Sequence, residues 1–352
     1  MNPDRTEALI REALTEEADR AVDPGVVLAR LSHGPRAPRR YRAPVIATAA
    51  AVVVVAAAGI VVPQLLDRQD AAPAAPAASA AKDQNVLVMG LDSGPGSPRA
   101  DSIVLAHLGQ DGSGSAVSIP RDSWVDVPGH GKQRLNGVYT QVREDEIAKG
   151  KSPADADDAA ARAVATTVQN LTGVAADHYA TVDMAAFAEI STAAGGVPVC
   201  LNQAVHDPLT GISFPVGQQT VSGDKALQFV RQRHGLANGD LDRIVRLQAF
   251  LRSLANKVLT APESTREQTL TALLTTARDK VRTDQGWNLL DLAGQLLKLR
   301  PDALRLGTVP VTDPPANAGP AIGVDPAKVR SFVQDQFGSG TAPAPGGATC
   351  VN

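Results

Sequence analysis

Four arginines crowd one short stretch, VRQRHGLANGDLDRIVR at 230–246: Arg231, Arg233, Arg243 and Arg246. Arg231 and Arg233 close an expected short helix after the apolar run 226–230. Arg243 and Arg246 fall in the first turns of the next helix, past a Gly-Asp turn. Cations at a helix start gain nothing from the macrodipole, which favours anions there. Their placement points to an anion held between the guanidinium groups and that helix N-terminus. Arginine's flat fork suits bidentate phosphate contacts, each charge-assisted bond contributing about 1.5–3 kcal/mol. His234 in this stretch, and His178 elsewhere, are read as structural.

Two more constellations suit phosphate chemistry. In GLDSGPGSPRADS (90–102), Gly90, Gly94 and Gly96 allow a close approach, but the Gly-Lys-Ser/Thr ending of a P-loop is missing. Asp92 and Asp101 bracket Arg99 there. They are candidate ligands for Mg²⁺, which takes one or two carboxylates plus substrate phosphates. The plain alternative is a polar hairpin loop. In SIPRDSWVDVPGHGKQRLNGVY (118–139), Arg121 follows an apolar strand, a place where α/β folds put ligands. A simple Arg121–Asp122 surface pair, worth about 0–1 kcal/mol, is the alternative. Arg134, Asn136 and Tyr139 follow as candidate lining. Neither HExxH nor GxSxG occurs.

The elements that must position these residues mix strands and helices throughout. Apolar runs predict strands at 85–91, 101–109, 115–120, 177–183, 197–201 and 304–309. Helical spacing predicts helices at 153–171, 184–193, from an N-cap at Ser222, and over 240–259, 264–282, 285–299 and 325–337. This implies a three-layer α/β arrangement. The apolar faces near 158–171, 184–193 and 244–258 are read equally as cavity walls or as ordinary core.

Residues 43–62, APVIATAAAVVVVAAAGIVV, carry no charge and suffice for a transmembrane helix across a hydrocarbon core of about 30 Å. Arg36, Arg39, Arg40 and Arg42 precede the run with no positive excess after it, which places residues 1–42 in the cytoplasm and the bulk of the chain outside. A Pro/Ala-rich linker (63–84) separates this span from a folded domain at 85–338, and 339–352 is a loop-like tail. A net charge of −3 and only 3% aromatic residues argue against a nucleic-acid partner. Cys200 and Cys350 are either two inert thiols or one disulfide.

The segments GLDS, RADS, SIPRDSWVDVPGHG, RLNGVY, DHYATVD, GGVPVCL and FVRQRH with GDLDRIVR, in this order over about 85–259, resemble the LytR-CpsA-Psr family. The resemblance implies an α/β/α sandwich with a central mixed sheet and a long apolar cavity for a polyprenyl chain. It implies a phosphotransferase moving a glycopolymer from a polyprenyl (undecaprenyl or decaprenyl) diphosphate carrier onto peptidoglycan, with Mg²⁺ as cofactor and polyprenyl-diphosphate phosphatase as a side activity. On this reading Asp92 and Asp101 hold the metal, and Arg99, Arg121, Arg231, Arg233 and Arg243 surround the diphosphate. Arg134, Asn136, Tyr139, Arg246 and Gln248 bind substrate, and Asp92 or Asp122 takes the acceptor's proton. Arg134 stands where many members have lysine. Gly94 stands where many have arginine, and Leu247 where many have glutamine. A domain in an oxidising space makes the Cys200–Cys350 disulfide the expected state. The alternatives from other classes are a module that binds the lipid or polymer without turnover, and a membrane-bound regulator. The regulator is disfavoured by a cytoplasmic part without a helix-turn-helix.

Overall fold

The computed structural model describes residues 82–92, 98–208, 210–287, 289–338 and 350–352. The expected cytoplasmic tail, transmembrane span and nearly all of the linker lie outside the described residues, as do Gly94, Gly96 and most of the C-terminal tail. Among the described residues, no helix is long and apolar enough to cross a membrane.

The chain runs through β1 (Gln84–Asp92), β2 (Arg99–Leu108), β3 (Gly114–Ser118) and a hairpin of β4 (Trp124–Val127) and β5 (Gly131–Arg134). Helices α1 (Asn136–Ala148) and α2 (Pro153–Thr172) precede β6 (His178–Asp183) and α3 (Met184–Ala193). Then come β7 (Val197–Leu201), β8 (Val205–His206), β9 (Ser213–Phe214) and β10 (Gly217–Val221), with β7 paired to β10 and β8 to β9. The rest is α4 (Gly223–Arg231), α5 (Asp240–Leu259), α6 (Glu263–Lys280), β11 (Val281–Thr283), α7 (Leu289–Lys298), β12 (Leu304–Thr308) and α8 (Pro326–Phe337).

Six strands form one mixed sheet in the order β11-β6-β1-β2-β3-β12. The β1–β6 and β3–β12 pairs are parallel and the others antiparallel. Successive side chains of a strand point to opposite faces, and β1 serves two cores accordingly. Val86 and Val88 pack with α3–α7 on one face. Leu87 and Met89 pack with α1, α2 and α8 on the other. The result is the expected α/β/α sandwich.

Two helices carry caps that their sequence announces and a third is capped from elsewhere, while α1 was not expected from the sequence and α7 starts at Leu289 rather than at 285. Ser152 caps α2 by accepting from the Asp155 amide, ahead of Pro153, and Asp183 caps α3 by accepting from the Ala186 amide. Ser222 occupies the N-cap position of α4 but makes no capping bond. The Gly223 amide donates instead to Ser191 Oγ at 2.8 Å, so α3 caps α4. The helix expected at 264–282 ends at Lys280, because Val281–Thr283 pair antiparallel with β6.

Leu87 is fully buried in the closed core beneath α1 and α2. Leu87→Ala should therefore destabilise the protein by about 2–5 kcal/mol, read as a lowered urea midpoint with an unchanged slope.

Candidate functional site

The site forms at one end of the central strands, where β1 and β6 end and β2 begins. The β1–β2 register steps from Gly90↔Ser102 to Leu91↔Ala100, which leaves Asp101 without a partner across the ladder. This is a β-bulge, a device that re-aims a side chain. Ala100 consequently joins Ile103 and Leu105 in one core, while Asp101 and Ser102 line the cavity on the other face. Gly90 permits the close approach: a Cβ there would meet Ser102 Cβ at 3.0 Å.

Arg121 sits just past β3 in a turn held by main-chain bonds. The Ser123 amide donates to the Pro120 carbonyl, and the Asn136 amide to the Arg121 carbonyl. Arg121 Nη1 lies 2.6 Å from Asp101 Oδ2, and Nε lies 3.2 Å from Asp240 Oδ1. The neighbouring Asp122 is further away at 3.7 Å, so the simple Arg121–Asp122 pair is not the main contact.

Arg243 reaches the same place from α5. Its Nη2 donates to the Asp101 carbonyl oxygen at 2.6 Å and to Asp240 Oδ2 at 3.2 Å. Asp240 thus bridges Arg121 and Arg243. The sequence reading left Asp240 out of the site; its spacing of three from Arg243, one turn of helix, was the available signal. It also corrects the electrostatic reading of α5. Asp240 and Asp242 occupy the first turn, where carboxylates suit the macrodipole, and Asp240 offsets the charge of Arg243 from within the chain.

Burial pulls the Arg121 guanidinium down, but Asp240, Asp101 and Asp122 together outweigh it and leave its pKa raised. Arg243 is the more deeply buried of the two, and burial, with the like charge of Arg121, leaves its pKa lowered despite Asp240. The Nε–Oδ1 contacts are electrostatic only. Among the described residues, Arg121 Nε, Arg243 Nε and Asp240 Oδ1 are buried without a hydrogen-bond partner.

Arg231, at the end of α4, donates from Nη2 to Asp92 Oδ2 at 3.1 Å. Arg233 is exposed and lines a polar pocket with Asp101, Arg121, Arg231 and Arg243. That pocket shares Asp101, Arg231 and Arg243 with an apolar cavity. Phe187 and Ile190 of α3 and Ile244, Leu247, Phe250 and Leu254 of α5 line the cavity. Of the three apolar helix faces, 184–193 and 244–258 are therefore cavity walls, while 158–171 is closed core. Leu247 belongs to the apolar wall and not to the polar mouth.

The remaining expected residues are placed differently. Arg99 is exposed at the start of β2, opposite Asp92 in the ladder. Arg134 and Asn136 both donate to Asp122 Oδ1, at 3.4 and 3.3 Å, and stand behind the mouth. Tyr139 lines neither cavity: it is buried in the core under α2, and burial, with Asp157 beside it, raises its pKa. Gln248 donates to Ser118 Oγ, the Gly307 carbonyl and Thr308 Oγ1, joining α5 to β3 and β12. Arg246 is fully buried away from both cavities, and burial pushes its pKa down to about 10, which leaves it charged at neutral pH. Arg246 and Gln248 lie on other faces of the helix whose cavity-facing side is taken by Arg243 and Leu247.

Asp92 and Asp101 both line the cavity mouth. Among the described residues no cluster of three or more His, Cys, Asp or Glu side chains is arranged to hold a metal. Two carboxylates beside arginines fit Mg²⁺, an ion usually held by one or two carboxylates with phosphate and water oxygens completing its shell. His234 is exposed on the rim of the polar pocket. Cys200 and Cys350 form the expected disulfide, their Cα atoms 4.4 Å apart.

An apolar cavity thus opens into a mouth of arginines and carboxylates. The chain belongs to the LytR-CpsA-Psr family, whose model matches residues 61–335. The cell wall biosynthesis protein LcpA of Corynebacterium glutamicum is 38% identical over 258 residues, covering 70% of this chain and 50% of that protein. The polyisoprenyl-teichoic acid–peptidoglycan teichoic acid transferase TagU of Enterococcus faecalis is 28% identical over 232 residues, covering 63% of this chain and 69% of that one. This chain spans about half the length of the Corynebacterium relatives it matches. The LytR-Csp2A-Psr enzyme from Actinomyces oris shares the fold, with a TM-score of 0.54, 23% identity, and coverage of 74% of this chain and 91% of that one.

Asp240→Asn should cost roughly 3 kcal/mol, because it removes the carboxylate between two buried guanidinium groups. Arg134→Ala, which breaks a half-exposed pair, should cost less than about 1 kcal/mol. Urea denaturation of both variants gives the comparison.

Proposed function

We propose that the protein is a phosphotransferase that moves a glycopolymer from a polyprenyl diphosphate carrier onto peptidoglycan. In this reading it is anchored by residues 43–62, with residues 1–42 in the cytoplasm and the folded domain outside. The observation that carries it is the continuity of the apolar cavity with the arginine pocket. One ligand with a long apolar tail and a diphosphate head fits both. The name of the Enterococcus relative describes a transfer of this kind, from a polyisoprenyl-linked polymer to peptidoglycan.

The chain's own groups support each part of the reaction. The cavity takes the polyprenyl chain, and burying each CH₂ contributes about 0.8 kcal/mol. Arg121, Arg231, Arg233 and Arg243 take the phosphate oxygens. Asp92 and Asp101 would hold Mg²⁺, which offsets charge on the leaving phosphate when bound. Arg121 and Arg231, now paired with those carboxylates, turn to the phosphate oxygens as the pocket fills.

The acceptor hydroxyl oxygen forms a bond to the polymer-linked phosphorus. The bond from that phosphorus to the bridging oxygen breaks, and polyprenyl phosphate leaves. The hydroxyl proton passes to a carboxylate. Asp122, beside Arg121 and outside the Asp92–Asp101 pair, takes it in this scheme. Water in place of the acceptor gives the phosphatase side reaction. With two substrates held in register, positioning supplies much of the acceleration. No ATP is needed, since the diphosphate bond is already activated.

The purified protein should cleave a polyprenyl diphosphate in the presence of Mg²⁺, lose that activity in EDTA, and regain it when Mg²⁺ is restored. Arg121→Ala and Arg231→Ala should each lower kcat/KM at least about a hundredfold, as expected for groups that stabilise transferring phosphate. Tight binding without cleavage, weakened by the same substitutions, would instead identify a binding module. Leu251→Trp, which fills the cavity, should raise KM for long-chain diphosphates and leave short-chain ones nearly unaffected. Equal effects on both would remove the lipid from the cavity.

A further inference from the structure

Arg246 is the largest fully buried side chain among the described residues, and the reaction scheme does not use it. A buried guanidinium persists only where acceptors compensate for its lost hydration. Arg246 has two. Its Nε donates to the main-chain oxygen of Asn352 at 2.6 Å, and its Nη1 donates to Gln232 Oε1 at 2.8 Å. Its Nη2 has no partner among the described residues. The Phe229 ring lies 5.1 Å beneath the guanidinium and the Phe214 ring 6.0 Å away.

Both acceptors lead somewhere. Gln232 stands between Arg231 and Arg233 at the end of α4, and its Nε2 donates to the His234 carbonyl at 3.2 Å. Gln232 therefore ties Arg246 to the turn that carries two of the four pocket arginines. Asn352 follows Val351, which forms an isolated parallel bridge with Leu201 of β7. Val351 donates to the Cys200 carbonyl and accepts from the Asn202 amide, both at 2.9 Å. Asn202 Nδ2 donates to the Cys350 carbonyl at 3.1 Å, and the Cys200–Cys350 disulfide closes the attachment.

We propose that residues 350–352 are a latch for the arginine pocket. Pinned to β7 by the disulfide, they hold Arg246, and Arg246 through Gln232 holds the 231–234 turn in the geometry that receives the diphosphate. Arg246 is a positioning residue and does not touch substrate. Releasing Asn352 leaves a buried guanidinium with a single acceptor. Arg246 must then move toward water, and Gln232 loses its anchor. The latch deepens the proposed function and rests on it for the role of Arg231 and Arg233 as diphosphate ligands.

The test uses the full chain in detergent, with farnesyl diphosphate and Mg²⁺ as the binding probe and amide hydrogen exchange as the local readout. In the double variant Cys200→Ser, Cys350→Ser, amides of 232–239 should exchange about tenfold faster, the scale of one lost hydrogen bond to a charged group. The Kd for farnesyl diphosphate should rise by a similar factor, with β1 and α2 exchanging at wild-type rates. Gln232→Leu should reproduce both effects with the disulfide intact, and Arg246→Lys, which can reach one acceptor but not both, should fall between. A double variant that is less stable throughout, yet binds the probe like wild type, would reduce the disulfide to a general staple and overturn the latch. If the double variant does not fold, wild-type exchange and Kd in Gln232→Leu would overturn it equally. A wild-type protein that ignores farnesyl diphosphate would remove the proposed function, while the exchange comparison would still decide the latch.

Discussion

Asp240 placed between Arg121 and Arg243 is the contact on which the mouth of the site depends. Two buried guanidinium groups repel, and the low dielectric around them strengthens that repulsion. One carboxylate within reach of both turns the repulsion into a bridged triplet. The bridge brings the turn after β3 to the first turn of α5, and so joins the sheet to the helix that walls the apolar cavity. Asp101, aimed by its bulge, completes the arrangement by meeting Arg121 with its side chain and Arg243 with its carbonyl.

The same helix serves two solvents. On one side α5 presents Ile244, Leu247, Phe250 and Leu254 to the cavity. At its start it presents Asp240 and Arg243 to the polar pocket. A polar residue at 247 would place an amide against the apolar wall, with the desolvation cost of an unsatisfied group. Leucine there extends the apolar surface. The departure from the family pattern thus falls in the apolar wall of the cavity rather than in its polar mouth.

The two ends of the arginine motif do different work. Arg231, Arg233 and Arg243 reach the pocket, while Arg246, one helical turn further on, is buried against Phe229 and faces the chain's last residues. Arg243 and Arg246 are both buried, so what each guanidinium faces, the pocket for Arg243 and the chain's own acceptors for Arg246, separates them.

The sequence by itself determined most of the longer elements of the domain, though not α1 or the β4–β5 hairpin, and the identity of most of the mouth. Strands and helices were legible because apolar periodicity and capping residues act over a few positions, as Ser152-Pro153 and Asp183 show. The carboxylates and arginines were legible because their types suit phosphate and their spacing recurs in a family. Only the tertiary structure decided which of them meet. It placed Tyr139 and Arg246 inside, made Asp240 a bridge, gave α4 its cap from Ser191, and assigned the faces of α3 and α5 to a cavity but that of α2 to closed core. The physical reason is range. Period and propensity report that a face is apolar or that a residue is charged. The direction a side chain takes, and whether a buried charge finds its acceptor, depend on residues brought from far along the chain, as Asn352 is brought to Arg246.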